Sequence, residues 1–452
     1  MSRAINVAKF GGTSVANFDT ISACAKIINN NPNTKVMVVS AAAGVTNLLV
    51  ELAHKPLTQA EIHAKCADIT DIEFKILERL THPALVKQKL ESLLFELEAL
   101  AKHEEILHRD DLKDELLSMG ERMSSLLCTE ILIQSGVPAL NFDIRKVLIT
   151  DTTFGEAVPD LAEVKRRAQN LMLTEVVDSV LVTQGFMGAD IHGNTTTLGR
   201  GGSDFTAAII AEALDANSCE IWTDVIGVYT TDPRITSAAR PLSELSFEEA
   251  AEMATFGAKV LHPATMEPAL RQNIPVFVGS SREPEKGGTW IVKKCQDEPP
   301  YRAITRRTQQ VMVTVKTPKM LYAQGYLERV FSIIAKHKLS VDLVTTSEIA
   351  ISFTLDNPPN SVAERLNKAT IAELESMSEV TVEDGFDLVT VVGNNMQAAT
   401  GVSSHIFAAI ADYNIRMICF GANPHNMSFL VAATDSCEIV TGLHKQLFEV
   451  DK

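Results

Sequence analysis

The last third of the chain repeats itself at one fixed offset. Gly325, Phe331, Ile334, Ala335 and Phe353 recur as Gly401, Phe407, Ile410, Ala411 and Phe429, each pair 76 residues apart (401 − 325, 429 − 353). The same offset lays Val313-Thr314-Val315 on Val389-Thr390-Val391. A match that keeps its register across strand-like, helix-like and strand-like pieces indicates two copies of one β-α-β-β unit. Two copies are too few for a solenoid, so a pair of small α/β modules packed together is expected. With 452 residues in all, the chain has room for two to four domains.

The segment ahead of the repeat alternates differently. Ile5 to Phe10 reads as a strand, Gly11-Gly12-Thr13-Ser14 as a turn, the stretch to Ile28 as a helix and Val36 to Ser40 as a second, almost wholly apolar strand. Strand, glycine turn, helix, strand is a βαβ unit, and apolar runs of this kind occur in parallel sheets covered on both faces. From Thr58 to Gln134, Leu77, Leu80, Leu90, Leu94, Leu97 and Leu100 have helical spacing, and the many Glu and Lys between them read as solvated faces. Further strands are expected at Val180–Thr183, Glu220–Asp224 and Pro275–Gly279, so residues 1 to about 290 read as one large α/β domain. Asp297-Glu298-Pro299-Pro300 reads as a linker.

Charge narrows the function. Lys and Arg number 41 against 57 Asp and Glu, a net charge of −16, which argues against nucleic acid as a partner. An anionic substrate must then be held by a local cluster of cations working against the overall field. No apolar run approaches the ~18–20 residues of a membrane helix, and Lys9, Gly11 and Gly12 interrupt the region where a signal peptide would be apolar. A cytoplasmic protein is expected. The seven cysteines contain no Cys-x-x-Cys pair, so neither a disulfide framework nor a zinc site is indicated, and most should be reduced and buried.

Four stretches carry candidate chemistry. Lys9-Phe10-Gly11-Gly12-Thr13-Ser14 places a cation and two glycines between a strand and a helix, where backbone amides can meet phosphate, although the spacing fits neither the P-loop nor the dinucleotide fingerprint. Thr195 to Asp204 packs hydroxyls, three glycines, Arg200 and Asp204 into ten residues, a composition with little use in a core. Arg200 offers a planar fork to a carboxylate or phosphate, while Asp204 by itself would also serve as a helix cap. Trp222 to Arg234 and Phe256 to Pro263 each bring one cation, Arg234 and Lys259, near glycine or proline turns. Taken singly these are surface charges; together with Lys9 and Arg200 they are the cluster a polyphosphate would need.

These motifs, together with Ser40-Ala41-Ala42-Ala43-Gly44-Val45-Thr46 and Ser118-Met119-Gly120-Glu121, resemble those of aspartate kinases in the amino-acid kinase superfamily, in the same order and over essentially the whole chain. The resemblance is to the monofunctional, lysine-sensitive bacterial type, whose C-terminal part is a pair of ACT modules. It implies an α/β fold: an amino-acid kinase domain with a mainly parallel central sheet flanked by helices over 1–293, a linker over 294–305, then ferredoxin-like βαββαβ ACT modules over 306–385 and 386–452, open to interleaving. With the sequence ending at Lys452, the homoserine dehydrogenase domain of bifunctional relatives is not expected here.

The activity so implied is transfer of the γ-phosphoryl group of MgATP to the β-carboxylate of L-aspartate, giving 4-phospho-L-aspartate. By resemblance Lys9 neutralises the moving phosphoryl group and Asp204 orients Lys9. Thr46, Glu121, Arg200 and Ser203 hold aspartate, with Arg200 on the α-carboxylate and Glu121 on the α-ammonium. Lys9, Phe10, Gly11, Gly12, Thr223, Asp224, Tyr229, Arg234, Lys259 and Val260 match the family's ATP positions. Magnesium is expected on phosphate oxygens and water rather than in a protein cage.

The family's lysine site matches Met320, Ala323, Tyr326, Leu327, Ser340, Val341, Asp342, Thr346, Ser347 and Glu348. There Asp342 and Glu348 are expected to meet ammonium groups, and Ala323 replaces the hydroxyl residue of lysine-regulated relatives. The implied assembly is a homodimer or dimer of dimers through the ACT modules. Two other readings share parts of this pattern: a kinase acting on glutamate or N-acetylglutamate, which would have no reason for paired ACT modules or the Glu121 context, and an amino-acid sensor with a vestigial kinase domain, against which intact Lys9, Arg200, Asp204 and Lys259 argue.

Overall fold

A computed structural model describes residues 4–258, 263–321, 323–355 and 366–449. The chain divides into two compact units, each discontinuous in sequence: Met1–Val228, Pro241–Phe247 and Val260–Cys295 form the first, and Tyr229–Arg240, Glu248–Lys259 and Gln296–Lys452 the second.

In the first unit the strands are β1 (Asn6–Phe10), β2 (Thr34–Val39), β3 (Ala139–Phe142), β4 (Val180–Gln184), β5 (Met187–Ala189), β6 (Thr195–Thr197), β7 (Ser218–Thr223), β8 (Glu244–Ser246), β9 (Val276–Ser280) and β10 (Gly288–Val292). Eight of them form one sheet in the order β3-β4-β2-β1-β7-β9-β10-β8, and β5 pairs with β6 in a separate hairpin. Neighbours are parallel except β9 and β10, which run antiparallel. The burial of all five residues of β4 and of all but Lys35 in β2 follows from their apolar composition in a sheet covered on both faces.

The helices are α1 (Phe18–Asn30), α2 (Val45–His54), α3 (Gln59–Leu77), α4 (Ala84–Ala101), α5 (Asp110–Gln134), α6 (Leu161–Leu171), α7 (Gly202–Ala213), α8 (Phe247–Thr255, counted with the second unit from Glu248 on) and α9 (Pro263–Gln272). Local chemistry sets several starts. Asn17 with Thr20, and Thr58 with Glu61, close reciprocal capping boxes on α1 and α3. Helices α1 to α5 bury Leu49, Ile69, Leu90, Leu97 and Leu116 with Phe10 and Met37 in one core. The sequence suggests that the Glu-rich faces are solvated, but Glu73 on α3 is completely buried in that core, and neither carboxyl oxygen has a hydrogen-bond partner.

The second unit is built on one antiparallel sheet of β11 (Ala303–Lys316), β12 (Val341–Thr346), β13 (Ala350–Leu355), β14 (Glu379–Val392), β15 (Ile415–Phe420) and β16 (Asn426–Ala432), in the order β12-β13-β11-β14-β16-β15. Its helices are α10 (Tyr326–Lys336), α11 (Lys368–Glu375), α12 (Val402–Ala409) and α13 (Ser436–His444). The repeat is visible bond by bond. Val313 pairs with Phe353 and Val389 with Phe429; Phe331 packs on Phe353 and Phe407 on Phe429. Thr314 bonds Ser352 at 2.9 Å, and Thr390 bonds Ser428 at 2.9 Å. Gly325 and Gly401 begin α10 and α12 in left-handed backbone.

The copies share their longest strands. The second half of β11 pairs with β13 and with the first half of β14, while the first half of β11 pairs with the second half of β14, which also takes β16. Each copy thus completes its βαββαβ order by borrowing half of the other's long strand. Segments 229–240 and 248–258 join this unit through buried polar groups. Glu249, fully buried, accepts from Arg302 Nε and Asn394 Nδ2, both at 2.6 Å. Thr230 bonds the buried His444 at 2.9 Å, and its carbonyl accepts from Ile304 at 2.7 Å.

Candidate active site

The parallel strands of the first unit end in register. Phe10 lies opposite Val39 on β2 and Trp222 on β7; Val39 lies opposite Gln184 on β4. The segments leaving these carboxyl ends are Gly11-Gly12, Ser40 to Gly44, Gly185 and Asp224, the place where open α/β sheets bind ligands.

Lys9 is the penultimate residue of β1, and its Nζ lies 2.6 Å from Asp204 Oδ1, with side-chain exposures of only 11% and 19%. Helix α7 starts not at Asp204 but at Gly202, after Gly201 in left-handed backbone with no side-chain cap. Asp204 is therefore released from capping and serves Lys9. A Cβ on Gly12 would come 2.8 Å from the carbonyl of Ala41, so only glycine lets the β1 turn close against the turn after β2, where Ala43 N donates to Gly12 O at 3.1 Å. Phe10, by contrast, is wholly buried and stacks on Trp222 at 6.3 Å, so only its main chain belongs to this turn.

Glu121 projects from α5 to accept the Ala41 amide at 3.1 Å. Burial pushes its carboxyl up to about 7, against the pull of that hydrogen bond and of Lys9. Thr46 lies exposed in the first turn of α2. Ser203 lies in the first turn of α7, so close to Gly185 that a Cβ there would come 2.5 Å from its own Cβ. Gly199 and Gly201 have φ of +73° and +77°, and between them Arg200 is exposed, with no ion pair among the described residues.

The structure thus brings Lys9, Gly11, Gly12, Thr46, Glu121, Arg200, Ser203 and Asp204 to one end of one unit. Thr223 follows on β7, its carbonyl accepting from Ser281 N at 2.8 Å and its hydroxyl donating to the exposed Asp224 at 3.2 Å. Tyr229, half-buried, and Arg234 lie in the segment that belongs to the second unit. Arg234 is exposed and paired with Asp232 at 2.6 Å. Lys259 and Val260 lie outside the described residues.

In the second unit, Met320 and Ala323 pack partly buried beside α10, Tyr326 and Leu327 open that helix, Ser340, Val341, Asp342 and Thr346 run into and along β12, and Ser347 and Glu348 form the exposed turn after it. Asp342 is ion-paired with Arg307 at 2.8 Å. An ammonium arriving at Asp342 must share that carboxylate or displace Arg307.

Sequence reasoning passed over Asp114. Its carboxylate, 2% exposed, accepts from Thr197 N at 2.7 Å, Thr197 Oγ1 at 2.8 Å and Gly155 N at 2.9 Å. It sits in an acidic run at the start of α5 that looks solvated; the one available signal is its spacing, close to two helical turns before Glu121.

Residues 4–280 match the amino acid kinase family and residues 389–447 the ACT domain. The lysine-sensitive aspartokinase 3 of Escherichia coli is 47% identical over 98% of this chain and 99% of its own. The chloroplastic aspartokinase 3 of Arabidopsis thaliana is 33% identical over 98% of this chain and 82% of its own. The crystal structure of E. coli aspartokinase III with aspartate and ADP, in the R-state, superposes with a TM-score of 0.87 at 46% identity, covering 98% of this chain and 100% of that one. The same enzyme with lysine and aspartate, in the T-state, gives a TM-score of 0.85 at 47% identity, covering 98% and 99%.

Proposed function

The chain belongs to the aspartokinases of the amino acid kinase family, and from that membership we propose that it transfers the γ-phosphoryl group of ATP to the β-carboxylate of L-aspartate. The observation that carries the assignment to these residues is the Lys9–Asp204 pair, set beside the Gly11-Gly12 turn on the same strand ends as Glu121 and the Arg200 loop. The relatives' ligands agree, since an enzyme of this family has been captured with aspartate and ADP.

A β-carboxylate oxygen of aspartate attacks the γ-phosphorus, the bond to the bridging oxygen breaks, and ADP leaves with that electron pair. An aspartate carboxyl, with a pKa of ~3.9, is already ionised at neutral pH, so no general base is required. The task left to the protein is to bring two anions together and neutralise the charge between them. Lys9 supplies the charge, and Asp204 holds its ammonium in place. The amides of Gly11 and Gly12 receive phosphate oxygens. Arg200 takes the α-carboxylate in its fork and Glu121 the α-ammonium, with Thr46 and Ser203 supplying hydroxyl or amide contacts.

Thr223, Asp224, Tyr229, Arg234, Lys259 and Val260 serve the nucleotide, Tyr229 beside the adenosine and the two cations near the phosphates. Magnesium, which dehydrates reluctantly, is held on phosphate oxygens and water. The reading keeps a kinase domain over 1–293 and ACT modules over 306–385 and 386–452, amended where strand β11 begins at Ala303 inside the expected linker and where 229–240 and 248–258 group with the ACT sheet. It also places the enzyme in the cytoplasm. No described helix is long and apolar enough to cross a membrane.

Lysine inhibits by binding the first ACT copy and favouring a low-activity conformation, as a ligand must that binds one of two states more tightly. Its carboxylate meets the uncapped amides at the start of α10 and its ammonium groups meet Asp342 and Glu348. The assembly is a homodimer or dimer of dimers through the regulatory sheets, whose edge strands β12 and β15 expose Val344, Ile418 and Phe420.

A coupled assay of ADP release tests the whole reading, with aspartate, glutamate or N-acetylglutamate as acceptor and with lysine, threonine or methionine added. Turnover with aspartate alone, suppressed by lysine, is expected. Turnover only with another acceptor, or none with any, overturns the assignment. Millimolar lysine that leaves kinetics and thermal stability unchanged overturns the regulatory part.

A further inference from the structure

We infer that Asp114 is a positioning residue: by tying the Arg200 loop to the helix that carries Glu121, it sets the distance between the two groups that grip the amino-acid substrate. The inference rests on the aspartate kinase reading above.

Asp114 and Glu121 stand seven residues apart on α5, so they lie on one side of a single rigid rod, about 10 Å apart along its axis. Glu121 reaches the turn after β2. Asp114 reaches the base of the glycine-rich loop. One of its oxygens accepts both the Thr197 and Gly155 amides, at 2.7 and 2.9 Å, and the other accepts the Thr197 hydroxyl at 2.8 Å. Thr197 ends β6 three residues before Arg200. Gly155 belongs to the neighbouring segment that braces the loop: its carbonyl would lie 3.2 Å from a Cβ on Gly199, and Ala157 N donates to Thr197 O at 2.9 Å. One carboxylate therefore gathers both strands of chain at the point where the loop departs.

The loop needs such a tether. Gly199 and Gly201 on either side of Arg200 take left-handed backbone at little cost, and for the same reason they constrain Arg200 poorly. Three donors converging on one carboxylate fix the stem instead, and charge-assisted bonds of this kind are about twice as strong as neutral ones. No lysine or arginine pairs with Asp114 among the described residues, so its charge is committed to the loop backbone and hydroxyl. Because aspartate presents its α-ammonium and α-carboxylate at a fixed separation, a loop that drifts relative to α5 loses one grip or the other.

The test is steady-state kinetics of the full-length enzyme, titrating aspartate at saturating ATP and the reverse, for Asp114→Ala, Asp114→Asn and Thr197→Val. Asp114→Ala is expected to raise the aspartate KM about tenfold or more while leaving the ATP KM within about twofold. Asp114→Asn retains an acceptor for both amides and a donor for the Thr197 hydroxyl, and should restore the aspartate KM to within about threefold of the parent. Thr197→Val, which removes one donor, should raise it about twofold or more.

A purely structural role would lower thermal stability and the active fraction without moving the aspartate KM selectively, and that result overturns the inference. So does an equal rise in both KM values. Should Asp114→Ala fail to fold, Thr197→Val decides, and an unchanged aspartate KM there overturns the tether. Absence of aspartate phosphorylation by the parent enzyme is a different failure, that of the kinase reading itself.

Discussion

Lys9 and Asp204, 195 positions apart in sequence (204 − 9), form an ion pair of 2.6 Å at the end of the central strand. The two residues come from motifs that each have an ordinary structural use, a strand end and a helix start. Their pairing turns those uses into one charged device. Asp204 balances the charge of Lys9, and in the proposed mechanism it keeps the ammonium pointed when phosphate arrives.

Turnover should depend steeply on this pair. Lys9→Ala is expected to lower kcat about a hundredfold or more, and Asp204→Asn about tenfold or more, as for loss of a preorganised charge at a transferring group. Circular dichroism and the melting temperature should change little. Near-normal turnover in folded Lys9→Ala would remove Lys9 from the chemistry.

Glu121 predicts an acid limb in substrate binding. Burial holds its carboxyl up at about 7, and only the ionised form attracts an ammonium. As pH falls through 7 the group takes up a proton, so kcat/KM for aspartate should fall, approaching about tenfold per pH unit well below 7. In Glu121→Gln the value should start low and lose this limb. A profile from pH 5.5 to 8 for both proteins checks it; an identical limb in the variant would assign the titration elsewhere.

Glu73 predicts that stability falls with rising pH. Burial raises its carboxyl from an ordinary 4.5 to about 8. The folded state therefore holds a proton that the unfolded chain releases between those values. Its contribution is whole below pH 4.5 and shrinks by about 1.4 kcal/mol per pH unit until pH 8. Glu73→Leu removes the proton and the orphaned oxygens together, so its stability advantage over the parent should widen from pH 6 to pH 8 in denaturant titrations. Parallel curves would show that Glu73 is not the buried acid described.

Glu249 predicts a weak point in the second unit. It is fully buried and receives Arg302, itself 7% exposed, at 2.6 Å. Glu249→Ala leaves a buried guanidinium short of its carboxylate, a change expected to cost about 3–5 kcal/mol. Hydrogen exchange should show lost protection in β11 and α8 while β1 and β2 keep theirs. Unaltered exchange at β11 would contradict the role of the pair.

The architecture was legible where it follows from local periodicity. Apolar strands read as buried parallel strands because both faces of such a sheet are covered, and the β1 turn announced itself by two glycines. The repeat predicted two modules, and in the structure its copies make matching contacts, Phe331 on Phe353 and Phe407 on Phe429, since a copied sequence copies its packing. Motif order and type likewise pointed to Lys9, Glu121, Arg200 and Asp204.

Tertiary structure alone decided the rest, because it depends on which distant segments meet. Nothing local distinguishes the buried Glu73 from its solvated neighbours, or Asp114 from Asp110 and Asp111 beside it; only packing selects which carboxylate faces the protein. The split of β11 between two modules, and the grouping of 229–240 and 248–258 with the second unit, arise from strand pairing and buried polar bonds across long separations. The sequence by itself determined the chemistry available at the strand ends and the repeated module. Three dimensions decided which charges are paired, buried or free to meet a ligand, because desolvation and hydrogen bonding act through space rather than along the chain.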